Sequence, residues 1–204
     1  MEKDTRTKLI ELATELFATK GFAAVSVRDL TSAIGANVSA VSYHFDSKEG
    51  LYQAILKEQL GPILRALQTV QSNAAMPPIS RLISYADQIA QIHTQRPYLA
   101  RFLINEVTNP TEYGGPIVEN YISQMYGFMA AAIQEGIANG DLRADLNVAY
   151  TALSLSGMIN FYFITRPTNK KVLTSSDDAP EAYIAHTFRI YLEGIANPTK
   201  KDSR

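Results

Sequence analysis

Hydrophobic positions recur at helical spacing from the first residues onward. Leu9, Leu12 and Leu16 are three to four residues apart, and Gly21 follows them where a helix typically ends. No stretch of useful length alternates apolar and polar residues as a half-buried strand does. The pattern therefore predicts an all-α protein of about nine to ten helices.

Two short helices follow the first. Ser26 and Asp29 have the spacing of a capping box, because the serine hydroxyl can accept a free amide while Asp29 favours the positive helix start. Gly35 ends the second helix, and the turn continues through Asn37, for which we expect a left-handed backbone. The third helix covers about residues 38–45. Two helices joined by a three-residue turn indicate a helix-turn-helix.

Prolines mark the later helices. A fourth helix begins near residue 47. Five later prolines each favour a new start, because the missing N–H of proline costs nothing in a first turn: Pro62, Pro78, Pro97, Pro116 and Pro180. The further helices are predicted at 62–73, 79–94, 97–108, 116–139, 146–165 and 180–196. All nine prolines lie beyond residue 61. We therefore expect a helix-turn-helix domain over 1–50 and a helical ligand-binding and dimerisation domain over 51–204.

The segment 146–165 carries no charge over a length that meets that of a membrane span. Polar residues recur through it, among them Asn147, Ser154 and Asn160. A buried or subunit-interface helix is equally apolar all round without needing lipid. We therefore predict no membrane partner.

The composition excludes several kinds of chemistry. The 204 residues include no cysteine and only three widely separated histidines, which excludes a disulfide framework, a thiolate nucleophile and a cysteine-based zinc site. No Ser-His-Asp set and no glycine-rich phosphate loop is present, so we expect no enzyme, metal or cofactor. The first eight residues lack the apolar core of a secretory signal, which favours a cytoplasmic location.

Net charge gives no support for nucleic acid binding, because residues 1–60 hold seven Lys and Arg against eight Asp and Glu. The faces of the third helix are more informative. Val38, Val41 and Phe45 are predicted to pack inward, which leaves an outer face without charge. Small hydroxyl residues with Tyr43 on that face suit the major groove of DNA. Lys48, at the start of the next helix, could hold a phosphate.

The run GFAAVSVRDLTSAIGANVSAVSYHFDSKEGLY, residues 21–52, resembles the N-terminal signature of TetR-family transcriptional regulators. The resemblance covers about 45 consecutive residues from helix one into helix four. The family commonly has Gly-Val-Ser at the turn, and Asn37 stands here in place of that glycine. The resemblance implies a homodimer, a twofold-symmetric operator in double-stranded DNA, and release from DNA by an unidentified small-molecule effector.

Carried onto this sequence, the resemblance assigns DNA contact to one set of residues. They are Ser26, Arg28, Ser39, Ala40, Ser42, Tyr43, His44 and Lys48. Structural alternatives stand beside them, since Ser26 is first a helix cap and Tyr43 could shelter the seam between helices two and three. Arg28 could pair with Asp29 or Glu49, and His44 could contact a phosphate, contact a base or be a surface residue. Lys48 could also be a solvated surface charge.

The C-terminal part combines aromatic residues with a few polar groups on apolar helices, as a ligand pocket does. The candidate ligand-binding residues are Tyr98, Phe102, Asn105, Tyr121, Met125, Asn160 and Phe161. His93 is interpreted as a cation at the end of helix five, favoured by the helix dipole. The candidate dimer residues on helices eight and nine are Leu153, Ser156, Gly157, Ile184, Phe188 and Tyr191.

The function predicted is a ligand-released homodimeric repressor, and the alternative is a DNA-bound scaffold controlled by a protein partner without a small ligand.

Overall fold

The computed structural model describes residues 4–73, 75–168 and 179–198. In that part of the chain it contains nine helices and no strands, which confirms the predicted fold class. The helices are α1 (Thr5–Lys20), α2 (Val27–Ala33), α3 (Ser39–Phe45), α4 (Lys48–Ser72), α5 (Pro78–Gln95), α6 (Leu99–Thr108), α7 (Gly115–Ala138), α8 (Val148–Thr165) and α9 (Pro180–Ile195).

The predicted helix start at residue 62 is wrong, because α4 continues through Pro62. Proline disfavours the helical conformation of the residue before it, partly because the proline ring clashes with the Cβ of that residue. The residue before Pro62 is Gly61, which has no Cβ. Leu60 and Ile63 are both buried on the two sides of the proline. Their burial favours continuing the helix once it has formed.

The first of two compact units comprises the chain up to Gly61 together with Arg96–Tyr121. Within it, α1 packs against α2, α3 and α6. The shared core includes Leu9 and Phe17 of α1, Val41 of α3, Ile55 of α4 and Phe102 of α6. The C-terminal segment 51–204 of the sequence therefore contributes α6 and the start of α7 to the unit that contains the helix-turn-helix.

The second unit comprises Pro62–Gln95 and the chain from Ile122 onward. Here α5 packs against α8 and α9, which also contact each other. Tyr183 stacks on Tyr162 with ring centroids 4.3 Å apart, and its hydroxyl donates to the Met158 carbonyl at 2.9 Å. The Tyr191 hydroxyl donates to the Thr151 carbonyl at 2.8 Å. Aromatic side chains thus fasten α9 to α8.

Among the described helices, α8 alone is long and apolar enough to cross a membrane. One such helix is weak evidence for a membrane protein, since core helices of soluble proteins share this composition. One face of α8 is buried within the second unit, through residues such as Leu155 and Ile159. The apolar residues of the opposite face are exposed, including Tyr150 and Leu153.

Candidate nucleic-acid interface

The start of α2 is fixed by the capping box that the sequence predicts. The Ser26 backbone N–H donates to the Asp29 carboxylate at 2.8 Å, and the Asp29 N–H donates to the Ser26 hydroxyl oxygen at 3.1 Å. Hydrogen bonds from Ser26 hold the pKa of Asp29 below its usual value. The Ser26 hydroxyl also donates to Asp29 at 2.7 Å, so its first role is that of a cap.

Arg28 follows the cap and is exposed. It forms no ion pair with a described residue, so the alternative of pairing with Asp29 or Glu49 is not realised. Its guanidinium remains available to a phosphate.

The turn between α2 and α3 differs from the prediction at Asn37. The left-handed residue is Gly35, with a φ of 67°, whereas Asn37 is not among the described residues with positive φ. Asn37 instead uses its side-chain oxygen, which accepts from the Ser39 N–H and the Ser39 hydroxyl, both at 2.9 Å. Asparagine therefore stands at this position for the hydrogen bonds of its side chain to Ser39 and not for its backbone freedom.

Fewer residues of α3 pack inward than the sequence predicts. Val41 and Phe45 are buried in the core of the first unit, as expected, but Val38 is 49% exposed. The reason is that Val38 precedes the first turn of α3 as its N-cap residue and lies outside the helical stripe that faces α1.

The outer face of α3 is exposed at Ser39, Ser42 and Tyr43, and Tyr43 is 84% exposed. The prediction that Tyr43 could shelter a seam finds no support in this exposure. Ala40 is half-buried against the core, and His44 is half-buried with its ring edge-on to Tyr43 at 4.9 Å. These two residues therefore flank the exposed face and do not stand at its centre.

A strained turn joins α3 to α4. Asp46 has φ 66° and ψ −41°, and the Ser47 N–H donates to the Phe45 carbonyl at 2.8 Å. These are the features of a γ-turn with a positive φ, which is rare for residues other than glycine. A Cβ at Gly50, in the first turn of α4, would overlap the Phe45 carbonyl oxygen. The end of α3 is thus packed directly on the backbone of α4.

We expect Asp46→Gly to be more stable than Asp46→Ala by about 1 kcal/mol, the reverse of the usual order. Glycine adopts a positive φ without the Cβ clash, whereas alanine keeps the clash. Urea unfolding of the two variants measures the difference. Equal stability, or a more stable alanine variant, would show that residue 46 is not held at a positive φ.

Two cations of the first unit lie over aromatic rings. The Lys48 ammonium is 4.2 Å from the centroid of Phe22, and the Arg6 guanidinium is 5.2 Å from that of Phe45. A cation–π contact at a partly exposed site contributes only about 0.5–1 kcal/mol. Phosphate contact by Lys48 stays a prediction, because a phosphate would have to compete with Phe22 for the ammonium.

Two family models match this chain. The model of bacterial regulatory proteins of the tetR family matches residues 9–55, and the C-terminal domain model of the HTH-type transcriptional dual regulator CecR matches residues 78–195. The chain belongs to the TetR family. TetR-family proteins are DNA-binding transcriptional regulators and not enzymes.

Relatives within the TetR family match along almost the whole chain. The probable HTH-type transcriptional regulator YttP of Bacillus subtilis is 29% identical over 96% of this chain and 92% of its own. The HTH-type transcriptional repressor KstR2 of Rhodococcus jostii is 23% identical over 95% and 92%. The solved structure of KstR2 from Mycobacterium tuberculosis has a TM-score of 0.76, 18% identity and coverage of 96% and 97%, which shows the shared fold.

The candidate ligand residues are divided between the two units. Tyr98, Phe102, Asn105 and Tyr121 belong to the first unit, and Met125, Asn160 and Phe161 belong to the second. Met125 is buried and accepts a hydrogen bond from Ser156 through its sulfur at 3.7 Å, while Asn160 donates to the Ser156 carbonyl at 2.9 Å. Phe161 is 64% exposed and faces away from this interior group. Ligand contact by these residues stays a prediction.

The interpretation of His93 as a cation at a helix end is wrong. The side chain is buried and stacks on Phe163 with ring centroids 4.1 Å apart. Burial lowers the pKa of His93 to about 4, so the imidazole is neutral near neutral pH. Its Nε2 atom has no hydrogen-bond partner among the described residues. Packing against α8, which the local sequence does not reveal, overrides the helix dipole.

The wild type is expected to lose about 2 kcal/mol of stability relative to His93→Phe between about pH 7 and about pH 4.5. The unfolded histidine takes up a proton near its ordinary pKa, whereas the folded one does so only near 4. The stability that the buried neutral ring contributes is therefore present at pH values above the ordinary pKa of histidine. It is lost as the pH falls below that pKa. Urea unfolding of both proteins at the two pH values tests this, and parallel pH dependences would contradict it.

The candidate dimer residues need correction. Ser156, Ile184 and Phe188 are buried within the second unit, because the apolar stripe of α9 packs on α5 and α8. Tyr191 is half-buried and bonded to Thr151. Leu153 and Gly157 remain on the exposed face. The large hydrophobic residues exposed on these two helices are Tyr150, Leu153 and Phe161 of α8 and Ile190 of α9.

The sequence predictions include no role for Glu106, which is one of several buried polar residues. Glu106 on α6 is only 3% exposed, and its carboxylate is hydrogen-bonded by Tyr52 and Thr111. The available signal was its place on the same helical stripe as Phe102 and Leu103, where an acidic residue must be buried with them. Among the described residues no cluster of three or more His, Asp or Glu could hold a metal ion.

Proposed function

We propose that this TetR-family regulator is a homodimeric repressor that binds an operator in double-stranded DNA through the outer face of α3. The observation that carries the proposal is the exposed, uncharged surface of Ser39, Ser42 and Tyr43 on a helix whose other face is locked into a core. An uncharged surface with hydroxyl groups suits base edges in the major groove, where a charged surface would mainly follow phosphates. The name of the repressor KstR2 supports repression as the direction of control.

The other assigned residues are proposed to hold the backbone of the DNA. Arg28, which has no ion-pair partner among the described residues, contributes a cation, and the Ser26 hydroxyl keeps one acceptor position beyond its capping bonds. Lys48 contributes if it exchanges Phe22 for a phosphate, and Ala40 and His44 line the flanks of the reading face. The near-neutral charge of this region favours few phosphate contacts and a shallow dependence of affinity on salt.

Selection of bound sequences from random double-stranded DNA tests this function. The expected product is a twofold-symmetric site with half-sites about 34 Å apart, one turn of DNA, because two recognition helices of a dimer read successive major grooves. Enrichment of no sequence would exclude specific operator binding. Recovery of a site without symmetry would exclude the symmetric dimer.

The exposed apolar stripe on α8 supports the homodimer. Tyr150, Leu153, Gly157 and Phe161 are spaced by three and four residues, so they line one side of the helix. Contiguous exposed apolar surface on a soluble protein marks an interaction site. A second copy of this chain would bury the stripe symmetrically, as closed dimers do.

A small effector in the second unit is proposed to release the protein from DNA. The interior there places polar atoms such as the His93 Nε2, the Ser156 hydroxyl and the Asn160 amide among apolar side chains, a combination that suits ligand binding. Thermal melting against a metabolite library tests this, since a ligand at a hundredfold excess over its Kd adds about 2.7 kcal/mol. Stabilisation by a protein partner only would favour the scaffold alternative.

A cytoplasmic location belongs to the same proposal, because a repressor must reach chromosomal DNA.

A further inference from the structure

Glu106 carries a buried carboxylate that depends on two neighbours for its hydrogen bonds. It accepts from the Tyr52 hydroxyl at 2.5 Å, from the Thr111 N–H at 2.9 Å, and from the Thr111 hydroxyl, which lies 3.1 Å from each oxygen. No described Lys, Arg or His pairs with it. Burying a charge without such partners is costly, so these donors stabilise Glu106 in its place.

Thr111 belongs to the segment 109–114 between α6 and α7, which is folded around the carboxylate. The Thr111 hydroxyl also accepts from the Gly114 N–H at 2.9 Å. A Cβ at Gly114 would lie 2.6–2.8 Å from the Glu106 carboxyl atoms, so a larger residue there would displace this carboxylate. The segment is therefore shaped by Glu106.

Tyr52 links the same carboxylate to α4. Its ring is buried against Phe17 and Phe22, with centroids 5.2 and 4.9 Å away. Burial, and the carboxylate of Glu106 beside it, raise the pKa of Tyr52, so its hydroxyl stays protonated and donates. The adjacent Gln53 donates from its side chain to the Tyr113 carbonyl at 3.3 Å. Tyr52 thus holds Glu106, and Gln53 holds the 109–114 segment directly.

The first turn of α4 in turn fixes α3. The end of α3 and the first turn of α4 are in direct contact, through the γ-turn at Asp46 and the close approach of Gly50 to the Phe45 carbonyl. Tyr52 follows Gly50 by two residues. A change in the position of the first turn of α4 therefore moves the end of the helix whose outer face carries Tyr43.

We propose that Glu106 is a positioning residue for DNA binding, which holds α3 in the orientation that docks into the groove through Tyr52 and the first turn of α4. This inference rests on the proposed reading role of α3. A cavity of about 600 Å³, lined in part by Tyr52, Glu106 and Thr111, borders the network. If the hydrogen bond from Tyr52 is lost, the Glu106 carboxylate lies next to space that solvent can enter. The folded protein can therefore populate a state in which this hydrogen bond is broken.

The test compares Tyr52→Phe with Tyr113→Phe. The first removes the donor to Glu106 and keeps the packed ring, whereas the second removes a hydroxyl from the same segment that has no partner among the described residues. Operator Kd is measured by fluorescence anisotropy on the selected site with all proteins folded. We expect about tenfold weaker binding for Tyr52→Phe and a change within about twofold for Tyr113→Phe, because the docking-competent fraction falls only in the first.

Thr111→Val and Thr111→Ser form the second pair. Valine removes the hydroxyl bond to Glu106 and serine retains it, so valine is expected to weaken operator binding by about tenfold and serine to restore it. This pair decides the question if Tyr52→Phe fails to fold. A lower melting temperature with an unchanged operator Kd in both pairs would show a merely structural network and overturn the inference. Failure of the wild type to bind any operator would instead reject the proposed function.

Discussion

Tyr43→Ala is expected to weaken binding to the specific operator by at least about a hundredfold while the fold and the dimer stay intact. The side chain is 84% exposed and contacts no part of the core, so its removal leaves no cavity. A dimer presents two copies to its operator, and a loss of about 1.4 kcal/mol at each gives the hundredfold effect. Gel-shift titration on specific and scrambled DNA measures it.

Matched variants separate the contributions of Tyr43. Tyr43→Phe keeps the ring and removes the hydroxyl, and Glu15→Ala changes an exposed residue of α1 in the same unit. We expect an intermediate loss for the first and no specific loss for the second. Specific binding retained by Tyr43→Ala would remove this residue from the reading role.

Leu153→Glu is expected to convert the protein to a monomer at micromolar concentration and to remove tight operator binding with it. Leu153 is 56% exposed in the single subunit and lies in the middle of the apolar stripe on α8. Around a twofold axis the two new carboxylates would be buried close to each other without cations, which costs several kcal/mol. Each half-site would then bind alone and lose the gain from simultaneous engagement.

Sedimentation of the variant and its operator titration form one experiment. Gln134→Glu puts the same charge on an exposed position of α7 and is the control. A dimer that persists in Leu153→Glu would move the interface away from the α8 stripe. A monomer that still binds the full operator with wild-type affinity would separate dimerisation from DNA binding.

The helix-turn-helix was predictable because its signals are local. The Ser26–Asp29 capping box, the end of α1 at Gly21 and the end of α2 before Gly35 each depend on residues within one turn of each other. The inward Val41 and Phe45 likewise follow from helical periodicity alone. The prediction was wrong at Asn37. An asparagine in a turn can either adopt a left-handed backbone or form hydrogen bonds through its side chain, and the sequence does not tell these two uses apart.

The predictions of dimer residues on α8 and α9 were less accurate, because a helix with two apolar faces can bury either face inside its own subunit. On α8 and α9 the periodicity shows which residues share a stripe but not which stripe meets the rest of its own chain. Ile184 and Phe188 pack inside the subunit, whereas Leu153 and Phe161 do not.

The sequence by itself determined the all-α class, the TetR-family resemblance and the uncharged outer face of α3, since these follow from patterns within a few residues. Only the tertiary structure decided that His93 is a buried neutral ring and that Asp46 carries a strained turn. It also brought together Tyr52 and Glu106, which are far apart in the sequence. The physical reason is that burial and hydrogen bonding of a polar group depend on what packs against it, and those partners come from distant parts of the chain.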